Sequence, residues 1–478
     1  MQNSRARRLC FILVCCVLAV SIFPMTAFAQ VVCSTGSTCD LPASSYTVSG
    51  IAATGNASGN TLTIQSADTA TNMTSQYDNT GIINNNGILN NGDLAGKTYP
   101  WLRVMGPNSA INNYGTFNNS GEFYAQNVTD FSPSATPGAG VVFNAAGATL
   151  NNGSTVVPAD MEFYGTASLT NAGTFNNYGS IYTFTDSTDN SSISNSGTFV
   201  NYAAAGNLNL DGVFSNTGAL TNVAGAGIEI SGNFTNGATG TFTNNGQLNF
   251  NNYGSGSGPG TITNQGKVIV NAGAFGPTSA GYYPPGNFIQ QIGGSLLVNG
   301  QITANSFDIQ GGTVSGVGTL GASGVATSVT IDSGATMAPG STSSPLTVDG
   351  TLNMAGTLQL NLLSSRIGQA GLSSAVNTTG TTNLSGNLQI LLANGFSAQV
   401  GDYFDVLSSS GGLSGALSAS QWSSGGYTFQ SSIVNGTTLQ LAVTSVTTTS
   451  AGVPAPMTMS LFALTLFGLG ALRKRRWA

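Results

Sequence analysis

Two close carboxylate pairs, Asp186 with Asp189 and Asp402 with Asp405, are the groups best spaced for acid–base or metal chemistry. Glycoside hydrolysis needs two carboxyl groups across one cleft, and a hard cation such as Ca2+ needs several oxygens on one loop. The segment Asp186-Ser187-Thr188-Asp189-Asn190 has the composition of such a loop, and equally that of a solvated turn, while Asp402 stands where it would serve the turn before a strand. Lyase chemistry asks for a Lys or Arg base beside acidic residues. Between residues 30 and 452 the only basic residues are Lys97, Arg103, Lys267 and Arg366, and none adjoins a carboxylate cluster. Histidine is absent from all 478 residues, which removes Ser-His-Asp and Cys-His systems. The chain is therefore read as non-enzymatic, with no catalytic residue, no metal and no cofactor. What remains with binding chemistry is aromatic: Tyr99, Trp101, Tyr282 and Tyr283 interrupt otherwise regular stretches and are candidate sugar contacts, since an aromatic face stacks on the apolar face of a sugar ring.

Those four basic residues stand against seventeen acidic ones, a net charge of about −13 for the stretch. Nucleic acid is disfavoured as a partner, because displacing counterions from phosphate needs clustered Lys and Arg. At the N-terminus Arg5, Arg7 and Arg8 precede an apolar run from Leu9 to about Phe23, and Ala27-Phe28-Ala29 supplies small residues before Gln30. This order predicts a signal peptide over 1–29, cleavage after Ala29, and export. Cys10, Cys15 and Cys16 would leave with it. The even pair Cys33 and Cys39 is then expected to form a disulfide in an oxidising compartment.

The elements that carry these residues are announced by a repeat. Asn, any residue, Gly, one further residue and a large apolar one recur as Asn85-Asn86-Gly87-Ile88-Leu89, Asn113-Tyr114-Gly115-Thr116-Phe117, Asn119-Ser120-Gly121-Glu122-Phe123, Asn171-Ala172-Gly173-Thr174-Phe175 and onward to Asn264-Gln265-Gly266-Lys267-Val268. Asn and Gly tolerate positive φ and so mark turns, and the segments between them alternate with period two. Units of this size cannot bury an apolar face alone and must stack. The expected fold is all-β, a right-handed parallel β-helix (β-solenoid), with large side chains stacked inside and corner asparagines bonded from coil to coil. The alternative use of those amides is a sugar-binding face.

Near the C-terminus Val453-Pro454-Ala455-Pro456 is followed by an uncharged run from Met457 to Leu472 and then by Arg473, Lys474, Arg475 and Arg476. The prolines hold the motif extended, and the apolar run rises about 24 Å as a helix against a hydrocarbon core of about 30 Å. The cationic end acts as a membrane stop that stays cytoplasmic. This order resembles the PEP-CTERM sorting signal of bacterial envelope and exopolysaccharide-associated proteins, with Ala455 where that family usually has Glu. The resemblance implies an exosortase-type processing enzyme as partner, a single transmembrane sorting tail, and export across the inner membrane of a Gram-negative bacterium to the envelope, surface or matrix. An ordinary tail anchor is the other reading of the same residues. A second resemblance covers about Gly293 to Val443: coils such as Asp332-Ser333-Gly334-Ala335-Thr336-Met337-Ala338-Pro339-Gly340 look like the C-terminal part of autotransporter and haemagglutinin-like passengers, which implies a capping segment over about Asn387 to Val443.

The expected organisation is a signal peptide (1–29), an N-terminal cap (30–75), an Asn/Gly-repeat β-helix (76–292), a second solenoid region with its cap (293–443), a linker (444–452) and the sorting tail (453–478). The expected function is that of an exported structural, adhesin-like protein associated with exopolysaccharide, biofilm or neighbouring cell surfaces. A carbohydrate-binding surface module and a β-helix polysaccharide-degrading enzyme are the alternatives.

Overall fold

The computed structural model describes residues 38–447 apart from 42–44, 49–55, 57, 60, 73–75, 93–99, 127–139, 185–190, 204–206, 251–259, 272–284, 367–368 and 419–420. The described residues are all-β and form stacked parallel strands, as in a β-solenoid. The signal-cleavage residues Ala27, Ala29 and Gln30, Cys33 of the expected disulfide, Tyr99, Tyr282, Tyr283, the sorting motif Val453–Pro456 and the basic residues Arg473–Arg476 lie outside the described residues.

The chain divides into two compact units, the first comprising Met1–Thr235, Gly240–Asn249 and Tyr253–Gly260. In the first unit the coils from Thr61 onward each contribute three short strands, one to each of three parallel sheets. One such coil is Ala110–Asn113, Thr116–Asn119 and Glu122–Gln126. Most strands are four residues long with the second and fourth buried, the alternation that a pleated strand imposes when one face is dry. The second position carries the apolar core: Phe175 lies 4.5 Å from Phe199, which leads to Phe214 at 5.8 Å and on to Phe234 at 5.2 Å.

From Asn72 and Asn85 onward the inward side chain at the fourth position of the first and second sheets of this unit is asparagine, and it is fully buried at Asn113, Asn144, Asn177 and Asn222. A buried amide with an unmet donor or acceptor costs about 1–3 kcal/mol, so each must be bonded. In the first sheet Asn85 donates through Nδ2 to Asn113 Oδ1 at 2.6 Å, Asn113 to Asn144 at 2.7 Å, Asn144 to Asn171 at 2.7 Å and Asn171 to Asn195 at 2.7 Å. A second ladder runs in the second sheet from Asn72 through Asn91, Asn119, Asn152, Asn177, Asn201 and Asn222 to Asn244. The other Nδ2 proton bonds a main-chain carbonyl of the next coil, as from Asn144 to Thr174 O at 3.0 Å. The expected ladder is therefore present, and it uses both the donor and the acceptor capacity of the amides inside it, such as Asn113, Asn144 and Asn171.

The glycine of the repeat has a different cause from the one expected. Gly115, Gly173, Gly197 and Gly218 do not have positive φ, and the only non-glycine residue with positive φ among those described is Asn435. A Cβ at Gly197 would instead collide with the Gly173 carbonyl oxygen and the Ala172 main chain of the preceding coil. Glycine is required here because two corners stack in contact, each bonded to the one before, as in Tyr114 N to Asn85 O at 2.7 Å.

The first ladder meets no amide at its start. Ile64 is the register partner of Asn85, and Asn85 Oδ1 is buried without a hydrogen-bond partner. Asp68, 1 % exposed at the same corner of the preceding coil, has neither carboxylate oxygen bonded.

The second unit comprises Asn236–Thr239, Phe250–Asn252 and Thr261–Ala478. Its parallel coils begin with an amide run, Asn236 to Asn264 at 2.9 Å and Asn264 to Gln290 at 3.3 Å. The run stops there because Ile309 is the partner of Gln290. Gln290 turns its amide to the carbonyls of Gly311 and Thr313 instead, and beyond it Ile309, Ile331 and Met354 make the corner apolar. The unit closes with antiparallel pairing of Tyr403–Ser409, Tyr427–Val434 and Thr438–Val446 over a cluster of Phe396, Phe404, Tyr427 and Phe429.

Candidate functional site

The third sheet of the first unit differs from the other two in what it turns outward. Its strands include Gln76–Asn79, Trp101–Met105, Glu122–Gln126, Asp160–Phe163 and Ser180–Thr183. Beyond the first of these, their fourth residues are Val104, Ala125, Phe163 and Thr183, so no amide ladder continues there. Outward lie the first and third positions of each strand. One column reads Gln76, Trp101, Glu122, Asp160, Ser180, and the other Asp78, Arg103, Tyr124, Glu162, Tyr182, each residue in register with the next. Neighbours within a column are about 4.8 Å apart along the stack. All three glutamates of the chain are third-sheet residues on this face, Glu229 following further along the second column beyond Asn209.

The polar groups of this face are held in place. Arg103 forms a two-point contact with Asp78, Nε to Oδ1 and Nη2 to Oδ2 both at 2.7 Å, a geometry that fixes the guanidinium plane. The Tyr124 hydroxyl donates to Glu122 Oε2 at 2.6 Å, and the Tyr164 hydroxyl donates to Glu162. Asp160 has no side-chain hydrogen bond among the described residues, and lies between Glu122 and Ser180 in its column. Arg103 is thus the one cation of this face among the described residues, and it is already committed to Asp78. Burial raises the Glu162 carboxyl above the usual carboxylate range; the Tyr164 bond works against that shift, and the negative neighbours Asp160 and Glu122 add to it. The Tyr124 phenol is raised by burial, by its bond to Glu122, and by the charges of Glu162 and Glu122.

Aromatic rings share the face and both of its borders. Trp101 is 41 % exposed and meets Tyr124 edge-on at 5.8 Å. On one border Tyr164 and Phe184 stack at 4.3 Å with planes 6° apart, and on the other Tyr178 and Tyr202 do the same. Rings follow one another here because residues at equal positions on successive coils face each other directly.

Trp101 is the one expected sugar contact within the described residues. The stretch Tyr99 to Arg103, read from sequence as an interruption of the repeat, contains a regular third-sheet strand from Trp101 onward, and this corrects that reading: alternation turns Trp101 and Arg103 out and Leu102 and Val104 in. Of the carboxylate pairs, Asp186 and Asp189 lie outside the described residues. Asp402 accepts from Gln399 N at 2.7 Å in the turn before strand Tyr403–Ser409, and Asp405 accepts from Gln440 at 3.0 Å. No group of three or more carboxylate, cysteine or histidine side chains suited to a metal occurs among the described residues.

Sequence reasoning missed Glu122, Tyr124, Asp160, Glu162, Tyr164 and Tyr182. A signal existed: Glu-Phe-Tyr-Ala and Asp-Met-Glu-Phe replace the Thr-Phe-Asn-Asn type of strand, with acidic and aromatic residues at both outward positions. No protein-family model and no curated protein matches the chain.

Proposed function

We propose that this chain is an exported structural, adhesin-like protein of the cell surface or extracellular matrix, sorted by an exosortase-type enzyme, whose solenoid displays a glycan-binding face on the third sheet of its first unit. The observation that carries the binding part is the pairing, on successive rungs of one sheet, of an exposed tryptophan and tyrosines with carboxylates. Aromatic faces give sugar rings an apolar platform and carboxylates accept their hydroxyl protons. The scaffold supports the structural part, because coils joined by amide ladders hold successive rungs of such a face in register. A right-handed coil is the hand that parallel crossovers take. Export rests on the residues around Ala27, Ala29 and Gln30, and sorting on Val453–Pro456, the apolar run and Arg473–Arg476.

The test of sorting is fractionation of cells expressing the chain with and without residues 453–478, with the mature C-terminus read by mass spectrometry. Loss of the tail near Pro456, and misdirection of the truncated chain, are expected. An intact tail in the inner membrane would overturn the sorting assignment.

Glycoside hydrolysis is a second reading favoured by one observation. Glu162, with its carboxyl raised, lies one rung from Glu122 and two positions from Asp160, and unequal carboxyl environments are what a general acid and its partner need. Release of reducing ends from polysaccharide, abolished by Glu162→Gln, would put this reading in place of simple binding.

A further inference from the structure

The third-sheet face carries more negative charge than its own cation balances. Asp78, Glu122, Asp160 and Glu162 lie on three of four successive strands, the remaining one carrying Arg103, their only cationic neighbour on the face among the described residues, and Arg103 is held by Asp78. Glu122, Asp160 and Glu162 therefore lack a positive partner. A neutral glycan would leave them so; a ligand bearing positive charges on adjacent repeats would pair with Glu122 on one rung and with Asp160 and Glu162 on the next. The spacing narrows the ligand further. Outward groups recur every coil at about 4.8 Å, close to the length of one pyranose ring, whereas an extended peptide advances by about 3.3 Å per residue. The rings on the face and its borders supply platforms for sugars.

We propose that this face binds a polymer of amino sugars, with protonated amines paired to Glu122, Asp160 and Glu162 and a sugar ring against Trp101. The inference rests on the glycan-binding reading above and adds the amine. Divalent cations are poorly suited, because no three carboxylates converge on one point among the described residues.

The test is calorimetric titration of the full-length protein in mild detergent with chitosan oligosaccharides, their fully N-acetylated counterparts of equal length, and oligolysine. Chitosan is expected to bind roughly tenfold or more tightly than the acetylated form, since the charge-assisted bonds exist only with the free amine. Its affinity falls with added salt as surface charges are screened. The pair Glu122→Gln with Glu162→Gln is expected to remove most of that preference, and Trp101→Ala to weaken both sugars together. Equal binding of both sugars, lost in Trp101→Ala, would keep the glycan reading and overturn the amine. Oligolysine bound as tightly as chitosan would overturn the sugar. No binding of any of the three would overturn both readings. Should a variant melt differently from the parent, the salt series on the unaltered protein decides, and a salt-independent chitosan affinity overturns the proposal.

Discussion

Asn144 offers the sharpest test of how the coils are held together. It is fully buried, accepts from Asn113 Nδ2 at 2.7 Å, and donates to Asn171 Oδ1 at 2.7 Å and Thr174 O at 3.0 Å. Asn144→Ala strands one proton of Asn113 and the Oδ1 of Asn171 away from water. At about 1–3 kcal/mol for each orphaned group, the loss comes to roughly 2–6 kcal/mol, with a small cavity in addition. Asn144→Leu refills the space but leaves the same orphans, so it is expected to remain destabilised by at least about 2 kcal/mol. Asn144→Asp is expected to be worst, because it sets a carboxylate oxygen against Asn171 Oδ1 and buries charge. The control is Asn151, which lies in the outward row of the second sheet, donates to Asn118 at 2.7 Å and accepts from Asn176 at 2.9 Å. Water replaces those bonds, so Asn151→Ala should cost less than about 1 kcal/mol. Denaturant midpoints measure the totals. Hydrogen exchange at Val141–Asn144 and the strands paired to it shows whether the loss is local, as nearest-neighbour stacking requires. Equal costs for Asn144→Ala and Asn151→Ala, or a neutral Asn144→Leu, would refute the idea that buried amide satisfaction holds the corners.

Gly197→Ala is expected to destabilise by about 1–3 kcal/mol through its collision with Gly173 O, as for an overpacked core. Gly147→Ala, at positive φ with open space around it, should cost about 1 kcal/mol from backbone strain alone; a larger loss at Gly147 than at Gly197 in thermal melts would reverse the assignment. The raised Glu162 carboxyl keeps its proton in the folded protein to higher pH than in the unfolded chain, so its contribution to stability is complete below the ordinary glutamate pKa and is lost as pH rises through the raised value. The groups facing it are Asp160, Glu122 and the Tyr164 hydroxyl. Glu162→Gln should flatten that part of the stability–pH curve, and an unchanged slope as pH rises above the ordinary glutamate pKa of about 4.3 would contradict it.

The solenoid was legible because its two signals are local. Strand alternation needs four residues and the corner needs Asn-x-Gly, so each coil repeats its own instruction. The cause of the glycine was not legible, since contact between corners involves residues more than twenty positions apart, as with Gly197 and Gly173. The candidate site was hidden for the same reason. Glu122 and Asp160 are neighbours because the chain returns to the third sheet after an insertion, and insertions of unequal length erase any fixed spacing between such residues. Proximity in sequence drew the eye to Asp402 and Asp405, which serve a turn and a strand pairing, whereas the carboxylates that gather on one face lie a coil apart. Trp101 was found because the aromatic pair Tyr99 and Trp101 breaks the run of Asn, Gly and Thr; its neighbours Glu122 and Tyr124 became visible as a site only once the coils were wound.

The ladders also give the first unit an electrical direction. In both inner columns every Nδ2 points from an earlier coil to a later one, from Asn72 towards Asn244 and from Asn85 towards Asn216, so the amide dipoles add head to tail as peptide dipoles do in a helix. The outward row runs the other way, with Asn118 donating back to Asn90, Asn151 to Asn118 and Asn176 to Asn151. Water screens that row far more than the dry columns, so the inner polarity prevails. Its negative pole falls where the first ladder starts, on the unpartnered oxygen of Asn85, one coil after the corner that buries Asp68. The first ladder therefore begins on an acceptor, and the coil ahead of it, which sets Ile64 in register with Asn85, leaves that acceptor unmet.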